Sequence, residues 1–230
     1  MKESKIVAEY CKKHLNLHNT HLGDEYYYQS LPLCVIDAVF SIGIKYQTTQ
    51  RVVQRYCDFF KLNRIRNDKT NIPEIETQQS ISDFLELETK YDFTNKVFCN
   101  RNRTSPVNGI LKSRAVFMFA KMLKQNNINC FQDINKIYSN YYNIAKDIMQ
   151  IPGQKSGISF KYFLMLAGND NLIKPDRQII SFLKRVLNIN VDSNMAQIIL
   201  SEANALLKQD YLDINLRLLD HLIWNYQREL

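Results

Sequence analysis

Apolar residues recur along most of this chain at the spacing of a helix, and strict alternation of apolar and polar residues is rarely sustained. A period near 3.6 residues places apolar side chains on one face of a helix, whereas alternation places them on one face of a strand. Glycine and proline, which interrupt helices, number only 6 and 5 among 230 residues. The sequence therefore predicts an all-α fold, and its 45% apolar content is sufficient for a buried core.

Local signals place several elements along the chain. The segment 31–42, LPLCVIDAVFSI, is apolar nearly all round, which is typical of a helix buried within a bundle, and Ser30 before it is suited to begin that helix. Residues 61–80 are polar and contain a proline, which indicates an inserted loop. Asp192 and Asp213 are placed to cap the last two helices.

Nothing in the sequence indicates a membrane, disulfide or cofactor protein. No apolar run is long enough to span a bilayer, and the acidic residues of the first segment do not fit a signal peptide. The cysteines are scattered without a C-x-x-C pair, so neither a disulfide framework nor a cysteine-rich metal cluster is expected. We therefore expect a cytoplasmic protein with no metal site and no cofactor.

The positive charge is concentrated in the middle of the chain. Residues 101–125 hold six Lys and Arg and no acid, and the segment 151–185 adds further basic residues, whereas residues 186–230 hold six acids against three bases. A local positive field of this kind suits a polyanion such as nucleic acid. A solvated helical face explains the same pattern equally well.

The stretch IPGQKSGISFKYFLMLAGNDNLIKPDRQIISFL, residues 151–183, joins a Pro-Gly turn, an apolar helix and a single acid, Asp176. A turn of this form leaves backbone N–H groups pointing outward at the start of the second helix, where they suit a phosphate oxygen. Lys155 and Lys161 would strengthen such a contact. Most Pro-Gly turns between helices only end the first helix, so the turn alone leaves both interpretations open.

The order of these parts resembles the helix-hairpin-helix DNA glycosylase superfamily, also described as endonuclease III-like or HhH-GPD. The resemblance rests on IPGQKSG, ISFKYFLMLAG and IKPDRQIISFL, with Asp176 at the family's acid. Upstream, LPLCVIDAVFSIGIKYQTTQRVVQRY is similar to the helix that ends in the family's DNA-probing loop, and NGILKSRAVFMFAKML to the helix before its hairpin. The resemblance covers roughly residues 31–187.

The resemblance implies an all-α, two-lobed helical domain with a helix-hairpin-helix motif and a DNA cleft between the lobes. It divides the chain into an N-terminal helix and tyrosine-rich segment at 1–30, a glycosylase-like core at 31–190 with an insertion at about 61–95, and C-terminal helices at 191–230 that pack on the core. The implied partner is double-stranded DNA, and the implied reaction is the excision of a flipped abnormal or modified base.

Departures from the family pattern narrow the implied chemistry. Gly157 stands where bifunctional members carry a Schiff-base lysine, so the resemblance implies a monofunctional glycosylase, without lyase activity, in which Asp176 is the catalytic carboxylate. Lys155 replaces the second hairpin glycine, and the cysteine spacing of the iron-sulfur members is absent, so no iron-sulfur cluster is expected. Asp176 is equally suited to cap the helix that follows it.

Other residues are candidates for contact with DNA. The loop SIGIKYQTT occupies the position of the family's wedge loop. The loop RNRTS could contact a phosphate or serve only as a linker. The aromatic rings of Tyr26, Tyr27 and Tyr28 could stack on a base or pack in the core. The predicted DNA-binding residues are Gly153, Gln154, Lys155, Ser156, Gly157, Lys161, Arg177, Lys45, Tyr46 and Arg103.

Near the C-terminal end of the sequence, we expect Asp220 and His221 to form a buried contact that holds the last helix.

Two other classes of function remain open. One is a helix-hairpin-helix DNA-binding module that has lost its chemistry, and the other is a scaffold for protein partners. The sequence identifies neither the base that is recognised nor the oligomeric state, and repair of host DNA and attack on foreign DNA predict the same residues.

Overall fold

A computed structural model describes residues 2–229, and within that range the chain is helical, with two isolated β-bridges and no strand. None of these helices combines the length and the apolar character needed to cross a membrane. The α-helices are α1 (Lys2–His14), α2 (Leu31–Phe40), α3 (Tyr46–Phe60), α4 (Ile81–Glu86), α5 (Lys112–Gln125), α6 (Asn135–Ser139), α7 (Tyr141–Met149), α8 (Ile158–Leu166), α9 (Arg177–Leu187), α10 (Ser193–Leu207) and α11 (Leu216–Arg228).

The chain forms two compact units. Unit 1 comprises residues 1–23 and 168–230, and unit 2 comprises residues 24–167. The boundary at residue 168 falls inside the segment 31–190 that the sequence suggested as one core, and α1 belongs with the C-terminal helices. The reason is that α1 buries Val7 and Cys11 in the same apolar cluster as side chains of α9, α10 and α11.

Unit 2 is built around α2, which packs against α3, α5 and α8. Every residue of α2 is buried, as its apolar sequence predicted. Ser30 precedes the helix in an extended conformation, and Pro32 lies in its first turn, where the missing N–H removes no helical hydrogen bond. A helix buried on all sides must have its backbone polar groups satisfied within the protein.

A buried lysine meets this requirement at the C-terminal end of α2. The Lys112 side chain is 1% exposed, and its Nζ donates hydrogen bonds to the carbonyl oxygens of Phe40 at 2.8 Å and Ile42 at 2.5 Å. The last carbonyl groups of a helix have no partner inside the helix and carry partial negative charge, so an ammonium group is well suited to them. Lys112 thereby fixes the start of the loop that connects α2 to α3.

We expect Lys112→Met to lower the free energy of unfolding by about 2 kcal/mol, because buried carbonyl oxygens lose their donor while the aliphatic volume is kept. Lys121→Met is the matched control on the same helix, since Lys121 is half-exposed and pairs with Glu88 at the surface. That change should cost less than about 1 kcal/mol. Urea unfolding of the three proteins measures both effects, and equal costs for the two variants would contradict the role assigned to Lys112.

A second buried polar cluster surrounds Asp37, in the C-terminal half of α2. The Tyr28 hydroxyl donates to Asp37 Oδ2 at 2.9 Å, and the Tyr162 hydroxyl donates to the same oxygen at 3.5 Å. The rings of Tyr26 and Tyr46 stack with centroids 6.0 Å apart, and Tyr26 and Tyr28 are both buried. This tyrosine cluster therefore joins α2, the start of α3 and α8 through the core of unit 2.

Unit 1 is a bundle of α1, α9, α10 and α11. Its core includes Phe182 of α9, Ile199 of α10 and Leu219 of α11, all with no exposed surface. Polar contacts tie α1 to the region of α10, where the Ser4 hydroxyl donates to Glu202 Oε2 at 2.6 Å and Lys12 pairs with Asp210 at 2.8 Å. Asp192 caps α10 as predicted, but Asn215 rather than Asp213 caps α11.

Contacts outside the helices mark the ends of two helical segments of unit 2. Helix α5 begins at Lys112, after residues 101–111 form a turn in which Arg103 and Leu111 make an antiparallel bridge. Helices α6 and α7 are separated at Asn140, whose backbone leaves the helical conformation and whose side chain donates to Asn126 Oδ1 at 3.0 Å.

Candidate nucleic-acid interface

The segment 151–157 forms a tight turn between α7 and α8 in unit 2. Gly153 and Gly157 adopt positive φ angles of 86° and 69°. Side chains rarely adopt this region, so the two glycines allow the chain to reverse within a few residues. The turn closes on itself through Gln154 N donating to Ile151 O at 2.9 Å and Gly157 N donating to Gln154 O at 3.0 Å.

The turn leads directly into the N-terminus of α8. The residue before the helix is Gly157, and it provides no side-chain cap. The first N–H groups of an α-helix have no partner inside the helix, and they carry partial positive charge. In unit 1, by contrast, Asp176 and Asp192 satisfy the first N–H groups of α9 and α10 with their carboxylates. At α8 the Ile158 N–H donates to Ser156 Oγ at a long 3.4 Å, and the glycine before the helix offers no side-chain acceptor, so donors that an anion would use remain there.

The loop 101–111 packs against this turn. A Cβ atom added at Gly153 would lie 2.4 Å from Cβ and 2.6 Å from Oγ1 of Thr104, so the two backbones approach too closely for a side chain. Thr104 is itself held, because its N–H donates to Ile110 O at 2.9 Å and its hydroxyl accepts from Ile110 N at 3.1 Å. The structure therefore brings together the RNRTS loop and the turn, which the sequence had suggested separately.

This part of unit 2 carries exposed positive charge. Lys155 and Arg103 are exposed, and Arg103 is oriented by its Nε donating to Gly109 O at 2.9 Å. Lys161 on α8 is half-buried, and that burial lowers the pKa of its ammonium group. We name the turn 151–157, the loop 101–111 and the N-terminus of α8 the hairpin surface.

Two of the predicted contact residues have a buried polar atom, namely Gln154 Oε1 and the Tyr46 hydroxyl oxygen. Gln154 has a side chain only 2% exposed, and its Oε1 has no hydrogen-bond partner within residues 2–229. In the suggested wedge loop, Lys45 is exposed, but Tyr46 lies in the tyrosine cluster, and burial of its hydroxyl raises the pKa of Tyr46. Ser156 is exposed at the turn.

Asp176 lies in unit 1, at the start of α9. Its Oδ1 accepts the backbone N–H groups of Gln178 at 2.8 Å and Ile179 at 3.3 Å, so the carboxylate caps the helix. Asp176 is partly exposed, and no described hydrogen bond of residues 2–229 ends on its Oδ2. Arg177 beside it is exposed. The cap and a chemical role are therefore compatible in this geometry.

The segment before Asp176 is tied to the C-terminal helices of unit 1. Ile173 N donates to Gln197 Oε1 of α10 at 3.2 Å, and Lys174 N donates to Asp220 Oδ1 of α11 at 3.0 Å. The sequence predicted a contact between Asp220 and His221. Instead, Asp220 Oδ1 accepts the Lys174 N–H, and His221 Nε2 lies 2.9 Å from Asn225 Nδ2. Sequence reasoning missed the pairing of residues 174 and 220, since no local pattern encodes it.

One family model matches nearly the whole chain. Residues 5–228 match the model of a family described as a domain of unknown function, DUF8548, and the chain belongs to that family. No curated protein matches the chain, and no solved structure does. The family assignment carries no activity.

Proposed function

We propose that this protein is a monofunctional DNA glycosylase-like enzyme of the helix-hairpin-helix type. In this proposal the hairpin surface of unit 2 holds a phosphate of duplex DNA, and Asp176 of unit 1 assists hydrolysis of the bond between a base and its sugar. The observation that carries the proposal is the glycine turn at a helix N-terminus preceded by glycine, followed along the chain by a partly exposed aspartate at the start of the next helix.

The hairpin surface suits the backbone of a nucleic acid rather than its bases. Backbone N–H groups at a helix N-terminus, with Lys155 and Arg103 close by in the same unit, are donors and charges that bind phosphate without reading sequence. The close packing of Gly153 on Thr104 keeps these groups in a fixed arrangement. A preformed site loses less conformational entropy when it binds its ligand.

The proposed reaction is hydrolysis of the N-glycosidic bond. A water oxygen forms a bond to C1′ of the sugar as the bond from C1′ to the base nitrogen breaks, and the electron pair leaves with the base. The Asp176 carboxylate stabilises the positive charge that develops on the sugar and accepts the proton of the water, and the departing base takes up a proton. A base in a duplex must first be flipped out of the stack to react in this way.

The alternative is a DNA-binding module without catalysis. Asp176 Oδ1 caps α9, and Lys155 stands where the glycosylase pattern has the second glycine of the turn. Both features are compatible with a protein that binds DNA without catalysing a reaction. In this case the hairpin surface binds duplex DNA in the same way, and Asp176 contributes only to stability. The two proposals therefore agree on binding and differ on excision.

The test is a panel of duplexes that each contain one modified base. We expect the wild-type protein to leave an intact abasic site in at least one duplex, so that the strand breaks only after treatment with alkali. Because Gly157 provides no amine at the position of a Schiff-base lysine, we also expect borohydride to trap no covalent complex with DNA. Gel electrophoresis with and without alkali, and with borohydride, measures all three outcomes.

Each contrary result has a distinct meaning. Duplex binding without excision on the whole panel would favour the binding module. Efficient trapping by borohydride would show that an amine, with Lys155 or Lys161 as the nearest along the turn, acts as a nucleophile. Failure to bind duplex DNA even at low salt would exclude both DNA proposals and leave a scaffold for protein partners.

A further inference from the structure

Asp220 is a buried acid whose position bears directly on Asp176. Its side chain projects from α11 into unit 1 and is 6% exposed. Oδ1 accepts the Lys174 N–H at 3.0 Å, and the Lys174 carbonyl oxygen in turn accepts the Asp176 N–H at 2.6 Å. Asp220 is thus connected to the backbone of Asp176 through one intervening residue.

The same segment is held at two further points. Gln197 of α10 accepts the Ile173 N–H with its Oε1 and donates to the Asn171 carbonyl oxygen at 3.3 Å. Arg217, 5% exposed on α11, donates its backbone N–H to the Asp170 carbonyl oxygen at 3.1 Å. Residues 170–174 therefore have no regular secondary structure, yet side chains and backbone groups of two helices fix their path.

The charges around Asp220 differ from those around Asp176. Burial raises the pKa of the Asp220 carboxyl well above its usual range, and the nearby negative charge of Asp176 raises it further. The Lys174 N–H and the positive charges of Lys174 and Arg217 oppose this effect without overcoming it. Asp176, by contrast, is partly exposed and accepts two backbone N–H groups.

We propose that Asp220 is a positioning residue for Asp176. As a neutral acid it holds the Lys174 N–H and thereby fixes the segment that presents Asp176. The consequence for catalysis rests on the proposed function, whereas the positioning and the protonation state can be measured without any reaction. An ionised Asp220 would place a buried negative charge near Asp176, which is unfavourable because burial and the like charge of Asp176 both disfavour the charged form of Asp220.

Two measurements without DNA test the proposal. Since the folded-state pKa of Asp220 lies above the unfolded value of about 3.9, its neutral form stabilises the fold fully below that value, and this stability is lost as pH rises towards the folded-state pKa. Asp220→Asn removes this loss, so its melting temperature relative to wild type should increase by several degrees between pH 4 and pH 7. The carboxyl carbon resonance of Asp220 should report the neutral form at pH values above the usual pKa of an aspartate.

Hydrogen exchange tests the positioning itself. The Lys174 amide should lose at least about tenfold protection in Asp220→Ala, in which the acceptor is absent, and should keep its protection in Asp220→Asn, which retains an acceptor oxygen. If the alanine variant does not fold, wild type and the asparagine variant still decide the outcome through pH-dependent melting. A carboxyl group of Asp220 that titrates at or below the usual pKa of an aspartate, or a Lys174 amide that exchanges equally in all folded variants, would overturn the proposal.

The catalytic consequence is measured on whichever duplex the panel identifies. Asp220→Ala should lower the single-turnover excision rate on the order of 10-fold to 100-fold with duplex affinity unchanged, because a small displacement of a catalytic group lowers the rate without lowering binding. Asp220→Asn should restore most of that rate. If the wild type excises no base, the proposed function fails, while hydrogen exchange and the resonance of Asp220 still support or overturn its positioning role.

Discussion

Asp176→Asn is expected to lower base excision by about 10³-fold or more while duplex affinity stays equal or increases. Asparagine has nearly the same size as aspartate and is an equally good helix cap, so Oδ1 can still accept the N–H groups of Gln178 and Ile179. It has no negative charge to stabilise the sugar cation and cannot accept a proton from water. Single-turnover excision, duplex titration and thermal melting on both proteins measure the effect.

The chain provides a matched control for this experiment in Asp192. Asp192 caps α10 with the same geometry, since its Oδ1 accepts Asn194 N at 2.9 Å and Met195 N at 2.8 Å. We expect Asp192→Asn and Asp176→Asn each to change the free energy of unfolding by no more than about 1 kcal/mol. Only Asp176→Asn should lower the excision rate. An Asp176→Asn protein that excises at the wild-type rate would limit Asp176 to its role as a helix cap.

Gly153→Ala should weaken duplex binding by about 10-fold to 100-fold at low salt, because the hairpin surface cannot keep its arrangement. An alanine at Gly153 must adopt a φ of 86° and must also displace Thr104, whose Cβ lies 2.4 Å from the new atom. The conformational cost alone is about 1–2 kcal/mol, and the displacement of the loop 101–111 adds to it. Duplex titration over a range of salt concentrations measures the loss, and fewer phosphate contacts should reduce the salt dependence.

Gly157→Ala separates the conformational cost of a positive φ angle from the cost of displacing a neighbouring segment. Its φ of 69° is also positive, but a Cβ atom there would meet only the Met149 side chain, with Sδ at 3.6 Å. This variant should therefore carry only the conformational cost, and its binding should fall less than that of Gly153→Ala. Thr104→Gly combined with Gly153→Ala should recover part of the loss by removing the clash. Wild-type binding by Gly153→Ala would show that the hairpin surface does not hold DNA.

The predictability of the candidate site depends on how local each contact is. The cap formed by Asp176 could be recognised in the sequence because its partners lie two and three residues further along the chain. The pairing of Asp220 with Lys174 could not, because it spans 46 residues and joins a helix to an irregular segment. His221, one residue from Asp220, seemed the natural partner only because it is close in sequence.

The sequence by itself determined the all-helical character of the protein, the burial of α2 and the cap of α10. These properties follow from interactions within a few residues: apolar periodicity, an unbroken apolar surface, and a carboxylate next to the first N–H groups of a helix. Only the tertiary structure decided that Lys112 completes α2 across 72 residues, that Thr104 leaves room for nothing but glycine at 153, and that α1 belongs with the C-terminal helices. The physical reason is that a buried charge or a close backbone approach is stable only where distant segments supply the acceptors and the space, and no local pattern records which segments those are.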